Sequence, residues 1–63
     1  MPVVKIDLIE GRTNEDKQKL IKGISNSFED IGIAKEKVHI IINEVNKENW
    51  GFKGLQATEW MGK

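Results

Sequence analysis

The chain has 63 residues, with ten basic and ten acidic side chains for a formal net charge of zero, one histidine and no cysteine. The two signs alternate instead of forming a basic face, which argues against a nucleic-acid partner, and no apolar run approaches the roughly eighteen residues of a membrane span. Disulfides are excluded, and one histidine without cysteine cannot build a structural zinc site.

A chain of this length buries only ~60% of the surface it exposes when unfolded. Conformational entropy near ~1.5 kcal/mol per ordered residue then roughly cancels the hydrophobic gain of so small a core. With disulfides and structural metal removed, self-association is the support that remains. One domain over residues 1–63 is expected, and no charged start leads into an apolar leader-like stretch, so a soluble cytoplasmic protein is expected.

Pro2 follows the initiator methionine directly. Once Met1 is trimmed, the chain begins with a secondary amine, and α-amino groups titrate near ~7.7–8.0 in model peptides, where a general base works well at neutral pH. Val3 to Ile9 is rich in β-branched residues and predicts a strand, with Val4, Ile6 and Leu8 on an apolar face and Val3, Lys5, Asp7 and Ile9 on the other. Glu10-Gly11-Arg12 breaks the pattern as a strand-to-helix loop. Asp7 and Glu10 lie close in sequence, but no further motif makes them a catalytic carboxylate pair.

Thr13-Asn14-Glu15-Asp16 reads as a helix start, with Thr13 as cap and Asp16 near the capping-box position. Leu20, Ile21, Ile24, Phe28 and Ile31 recur at spacings of three and four and predict one buried stripe. Gly23 inside this helix costs ~1 kcal/mol relative to alanine, which points to a close approach to the sheet. Gly32 is a left-handed stop.

Val38 to Val45 predicts a second strand, with Val38, Ile40 and Ile42 toward the helix and His39, Ile41 and Asn43 on the opposite face. Two strands joined by such a helix form a parallel βαβ unit with uncovered edges and one uncovered sheet face. The remaining stretch holds both tryptophans, and Trp50-Gly51-Phe52 followed by Gly54 predicts a short aromatic hairpin. A chain this small cannot bury all these rings itself, so some are expected to meet a neighbouring subunit or to line a pocket. The fold class is therefore α+β, a β-α-β subunit with parallel strands and a C-terminal hairpin.

The proline start, the E-G-R turn, the polar-capped helix, the I-I-x-E strand and the aromatic-glycine hairpin, in this order across essentially the whole chain, resemble the 4-oxalocrotonate tautomerase family. The resemblance implies a hexamer arranged as a trimer of dimers, with each pocket drawing residues from adjacent chains. It implies Pro2 as the proton-transfer group and Arg12, the only arginine in the chain, as the ligand of a small carboxylate substrate. A guanidinium fork suits a carboxylate and keeps its charge. Trp50 matches the aromatic that walls the family's pocket.

His39 falls, after a one-residue deletion, where well-studied members carry a second arginine. Histidine donates a hydrogen bond but is shorter and not permanently cationic. The activity implied is cofactor-independent and metal-free interconversion of enol and keto forms of a 2-hydroxydienoate or 2-keto acid. The alternatives are a hydratase or decarboxylase run by the same proline, or a non-catalytic oligomeric scaffold or ligand-binding protein. Taken one at a time, Arg12 also reads as a solvated turn residue, His39 as an interface residue and Trp50 as an interface plug.

Overall fold

β-branched residues dominate the two longest apolar stretches, and both are strands in the computed structural model, which describes residues 1–61. Strand β1 spans Val3–Ile9 and β2 spans His39–Val45. They pair in parallel and in register, from Val3 opposite His39 to Ile9 opposite Val45. A parallel pair needs a crossover, and helix α1, Asn14–Asp30, supplies it. Beyond β2 the chain forms the antiparallel pair β3, Gly51–Phe52, and β4, Leu55–Gln56, and then a short helix α2, Ala57–Trp60. The α+β class, the parallel strands and the C-terminal hairpin all agree with the sequence reading.

Both ends of α1 are written locally. Thr13 is extended, and its Oγ1 accepts the Asp16 N–H at 3.1 Å, satisfying one of the orphan donors of the first turn. At the other end, Gly32 takes φ +90°. Its N–H donates to the Glu29 carbonyl at 2.9 Å, while the Ile33 N–H donates to the Phe28 carbonyl at 3.0 Å. This pair of bonds is the Schellman ending, and its left-handed residue is cheapest as glycine.

The helix-facing set is Val4, Ile6 and Leu8 on β1, Val38, Ile40 and Ile42 around β2, and Leu20, Ile24 and Phe28 on α1, each half-buried. Two members of the expected stripe depart from it. Ile21 lies on the flank of the stripe and is exposed, and Ile31, 72% exposed, caps the helix where its phase has ended. The chain turns back so that Ile33, not Ile31, returns to cover. Gly23 also departs: it is exposed, and a Cβ built on it would meet nothing within 4 Å, so no close approach to the sheet explains it. Lys17 ties helix to sheet instead, its Nζ 2.7 Å from Glu44 Oε1.

Sequence reading missed three short elements: 3-10 turns at Lys35–Lys37 and Lys47–Asn49, and α2. The signal for α2 was present in Gln56-Ala57-Thr58-Glu59, where the Gln56 N–H donates to Glu59 Oε1 at 3.3 Å as in a capping box. The hairpin between β3 and β4 turns through Lys53 at φ 56° and Gly54 at φ 80°, two left-handed residues that match the twist of paired strands.

Among the described residues only Ala57 is fully buried. The accessible surface of 5061 Å² exceeds the roughly 4,100 Å² expected for a folded monomer of this mass. The radius of gyration, 14.7 Å, likewise exceeds the roughly 11 Å of a compact chain of this length. The uncovered face of the β1–β2 sheet carries Val3 at 53% exposure and Ile41 at 44%, and no helix among the described residues is long and apolar enough to cross a membrane.

The two glycines of the helical region separate in a test of stability at fixed protein concentration. Gly32→Ala is expected to cost about 1–2 kcal/mol, because alanine is strained at a left-handed C-terminal position. Gly23→Ala is expected to be neutral or stabilising by up to about 1 kcal/mol. Urea denaturation followed by circular dichroism reads both.

Candidate active site

Parallel, in-register strands bring both strand beginnings to one end of the sheet and both strand endings to the other. At the first end the His39 N–H donates to the Pro2 carbonyl at 3.0 Å, extending the ladder one step past β1. Pro2 is half-buried and His39 exposed, so these two predicted site residues are neighbours. Met1 is 87% exposed, and its peptide bond occupies the Pro2 nitrogen.

At the second end the chain leaves β1 through a fixed turn. The Glu10 N–H donates to the Val45 carbonyl at 2.9 Å, and Glu10 Oε2 accepts the Lys47 N–H at 3.3 Å. Gly11 follows at φ +122° and redirects the backbone, placing Arg12 beside the first turn of α1. The guanidinium is 69% exposed, with Nη1 3.9 Å from Asp16 Oδ2, one helical turn away. At that distance and exposure the ion pair is weak, ~0–1 kcal/mol, and leaves Arg12 free to take another anion.

Arg12 stands between two grooves. One, of about 280 Å³, runs between β1 and α1 and is lined by Leu8, Leu20, Asp16 and Lys17 beside Arg12. The other, of about 360 Å³, brings Arg12 together with Trp50, which is half-buried; Leu8, Ile9 and Met61 give it apolar walls, and Asp7 and Glu10 are its acidic residues. Trp50 is held from the C-terminal segment: its carbonyl accepts the Ala57 N–H at 2.8 Å, and Ala57 is the fully buried residue.

The structure thus joins Pro2 to His39, and Arg12 to Trp50, but keeps the two pairs apart. Seven residue steps from Pro2 to Ile9 at about 3.3 Å each separate the ends by about 23 Å, and a paired strand cannot fold back to shorten that distance. Asp16, read from sequence only as a helix-start residue, and Met61 were not expected at the site. Asp16 was legible as a carboxylate four residues after Arg12 on a helix start, whereas Met61 had no local signal. Asp7 and Glu10 do share a groove, yet each carboxylate has its own partner, since Asp7 Oδ1 accepts from Asn43 Nδ2 at 3.3 Å. Among the described residues no cluster of three or more histidine, cysteine or acidic side chains is placed to hold a metal ion.

Comparison with known proteins bears on this arrangement. The profile of the family described as tautomerase enzyme matches residues 2–59, beginning on Pro2 itself. The chain belongs to the tautomerase family. A 2-hydroxymuconate tautomerase from Pseudomonas putida is 42% identical over 60 residues, covering 94% of this chain and 95% of that protein. The solved structure of a 4-oxalocrotonate tautomerase isozyme from Methylibium petroleiphilum superposes with a TM-score of 0.86 at 41% identity, over 98% of this chain and all of the other. A heterohexamer 4-oxalocrotonate tautomerase from Chloroflexus aurantiacus J-10-fl gives a TM-score of 0.85 at 28% identity, over 94% of this chain and 97% of that one. These likenesses identify the 4-oxalocrotonate tautomerase family and with it an isomerase of the tautomerase type.

Proposed function

We propose that this tautomerase, freed of Met1, interconverts the enol and keto forms of a small 2-hydroxydienoate or 2-keto acid, using Pro2 as the proton carrier and no cofactor. The observation that carries the reading is the division of the site into two unlike halves: a proline one residue from the chain start beside His39 at one end of the strand pair, and an arginine with a tryptophan at the other. Each half lacks what the other has, so a working site needs two subunits.

The neutral Pro2 nitrogen removes the proton from the enol oxygen. The electron pair left behind forms the carbonyl, the conjugated double bond shifts, and the prolinium N–H delivers a proton to carbon. Nothing is gained or lost by the substrate except the position of one proton. Arg12 grips the carboxylate through two N–H bonds and holds the reacting atoms in line. Trp50 supplies an apolar wall, and His39 donates a hydrogen bond to the substrate oxygen.

The assembly we propose is a homohexamer, a trimer of dimers, of single-domain subunits spanning residues 1–63. Its support is the excess surface of the lone chain, the apolar groups left on the uncovered sheet face and the hexameric state named for the Chloroflexus relative. The cytoplasm is the proposed setting, in keeping with a chain that has no cysteine.

Ketonisation of a simple enol such as phenylenolpyruvate tests the chemistry. Protein that retains Met1 has an amide in place of the amine and is expected to lose turnover by about 100-fold or more. Pro2→Ala, which exchanges the ring-fixed secondary amine for a rotating primary one, should also lose turnover heavily. Arg12→Ala should chiefly raise KM, by about 10-fold or more, as one charge-assisted pair is removed. Equal rates in all forms would favour the scaffold reading.

Sedimentation tests the assembly. The Met1-free protein should run at six times the 7.2 kDa of one chain. Ile41→Asp, which puts a charge on the uncovered sheet face, should yield smaller species with little activity.

A further inference from the structure

The groove that joins Arg12 to Trp50 has an uneven charge. Among the described residues its lining includes one basic residue, Arg12, and two acidic ones, Asp7 and Glu10, and the rest is apolar or aromatic. Among the described residues the neighbouring groove adds no free cation. Lys17, its second basic residue, has its ammonium 2.7 Å from Glu44 Oε1, and Asp16 faces the guanidinium at 3.9 Å. The chain holds no second arginine, so one bidentate carboxylate anchor exists per subunit.

We propose that the site selects a monocarboxylate whose remainder is an uncharged, planar, apolar body, an aryl or alkenyl enol of a 2-keto acid, and rejects a second carboxylate on that body. The carboxylate pairs with Arg12, and the conjugated body lies against the Trp50 indole among Leu8, Ile9 and Met61. A second carboxylate carried into the same groove meets Asp7 and Glu10. Among the described residues neither acid is in a salt bridge: Asp7 is bonded to the Asn43 amide and Glu10 to the Lys47 backbone N–H. Like charges brought together in a partly enclosed groove are held apart by much less screening than in water. The dicarboxylate muconate skeleton in the name of the Pseudomonas relative is therefore a poor fit to this groove.

The inference rests on the reading that this groove receives the substrate carboxylate, so binding is measured apart from turnover. Met1-free protein is titrated by calorimetry near neutral pH with two unreactive acids, 3-phenylpropanoate and adipate. The expected result is that 3-phenylpropanoate binds about 10-fold tighter or more. In the double variant Asp7→Asn, Glu10→Gln, adipate should gain more affinity than 3-phenylpropanoate does, so that the ratio between them narrows by about 3-fold or more. If that variant fails to fold, Asp7→Asn alone, which keeps a polar partner for Asn43, serves in its place.

Adipate binding as tightly as 3-phenylpropanoate to the unaltered protein overturns the proposal. So does an unchanged ratio in the variant, or binding of neither acid. Binding of 3-phenylpropanoate that survives Arg12→Ala removes its footing, because the acid then sits elsewhere. Retained selectivity without turnover of any enol sinks the tautomerase chemistry of Pro2 and leaves the selectivity standing.

Discussion

The parallel, in-register pairing of β1 with β2 is the constraint on which the rest of this molecule depends. Because the strands run the same way, they need a crossover long enough to cover one face, and α1 is that crossover. For the same reason both strand beginnings lie together, so Pro2 and His39 are neighbours, and both strand endings lie together, so the Glu10-Gly11-Arg12 turn meets the segment carrying Trp50. An antiparallel pair of the same two sequences would have set Pro2 beside Val45 and made a different site.

The cost of this arrangement is surface. One helix covers one face, and the opposite face keeps Val3 and Ile41 exposed beside Lys5, Asp7, His39 and Asn43. The C-terminal segment adds Phe52 and Trp60, which pack edge to face with centroids 5.8 Å apart but remain exposed. At about 25 cal/mol per Å² of apolar area, these groups are a reserve of stabilisation that the lone chain has not used. In the assembly proposed above, the contacts that would use it are also the contacts that would bring the halves of the site together, so stability and chemistry would be lost together.

The charges around Arg12 give the proposed site its character. A guanidinium with only a distant carboxylate partner is available to a ligand, whereas Lys17, at salt-bridge distance from Glu44, is committed to holding helix against sheet. Asp7 and Glu10, each held by a hydrogen bond of its own, keep the Trp50 groove acidic. Relatives sharing the fold at 28–42% identity need not share these carboxylates, and substrate preference within one fold is set by such wall residues more than by the backbone.

Much of the fold was legible in the sequence by itself. Alternation of Val4, Ile6 and Leu8 set the buried face of β1, Thr13 and Gly32 marked the ends of α1, and the order of motifs identified the family, because each of these depends on residues within a few positions of one another. Only the tertiary structure decided the rest. It left Ile31 and Gly23 exposed, since a helical period does not say where the covering sheet ends. It put Met61 in the same groove as Arg12, a neighbour 49 residues away that no local pattern encodes. It also held Pro2 and Arg12, both readable as site residues, at opposite ends of one rigid strand, because spacing along a sequence fixes a strand's length but not which other chain lies beside it.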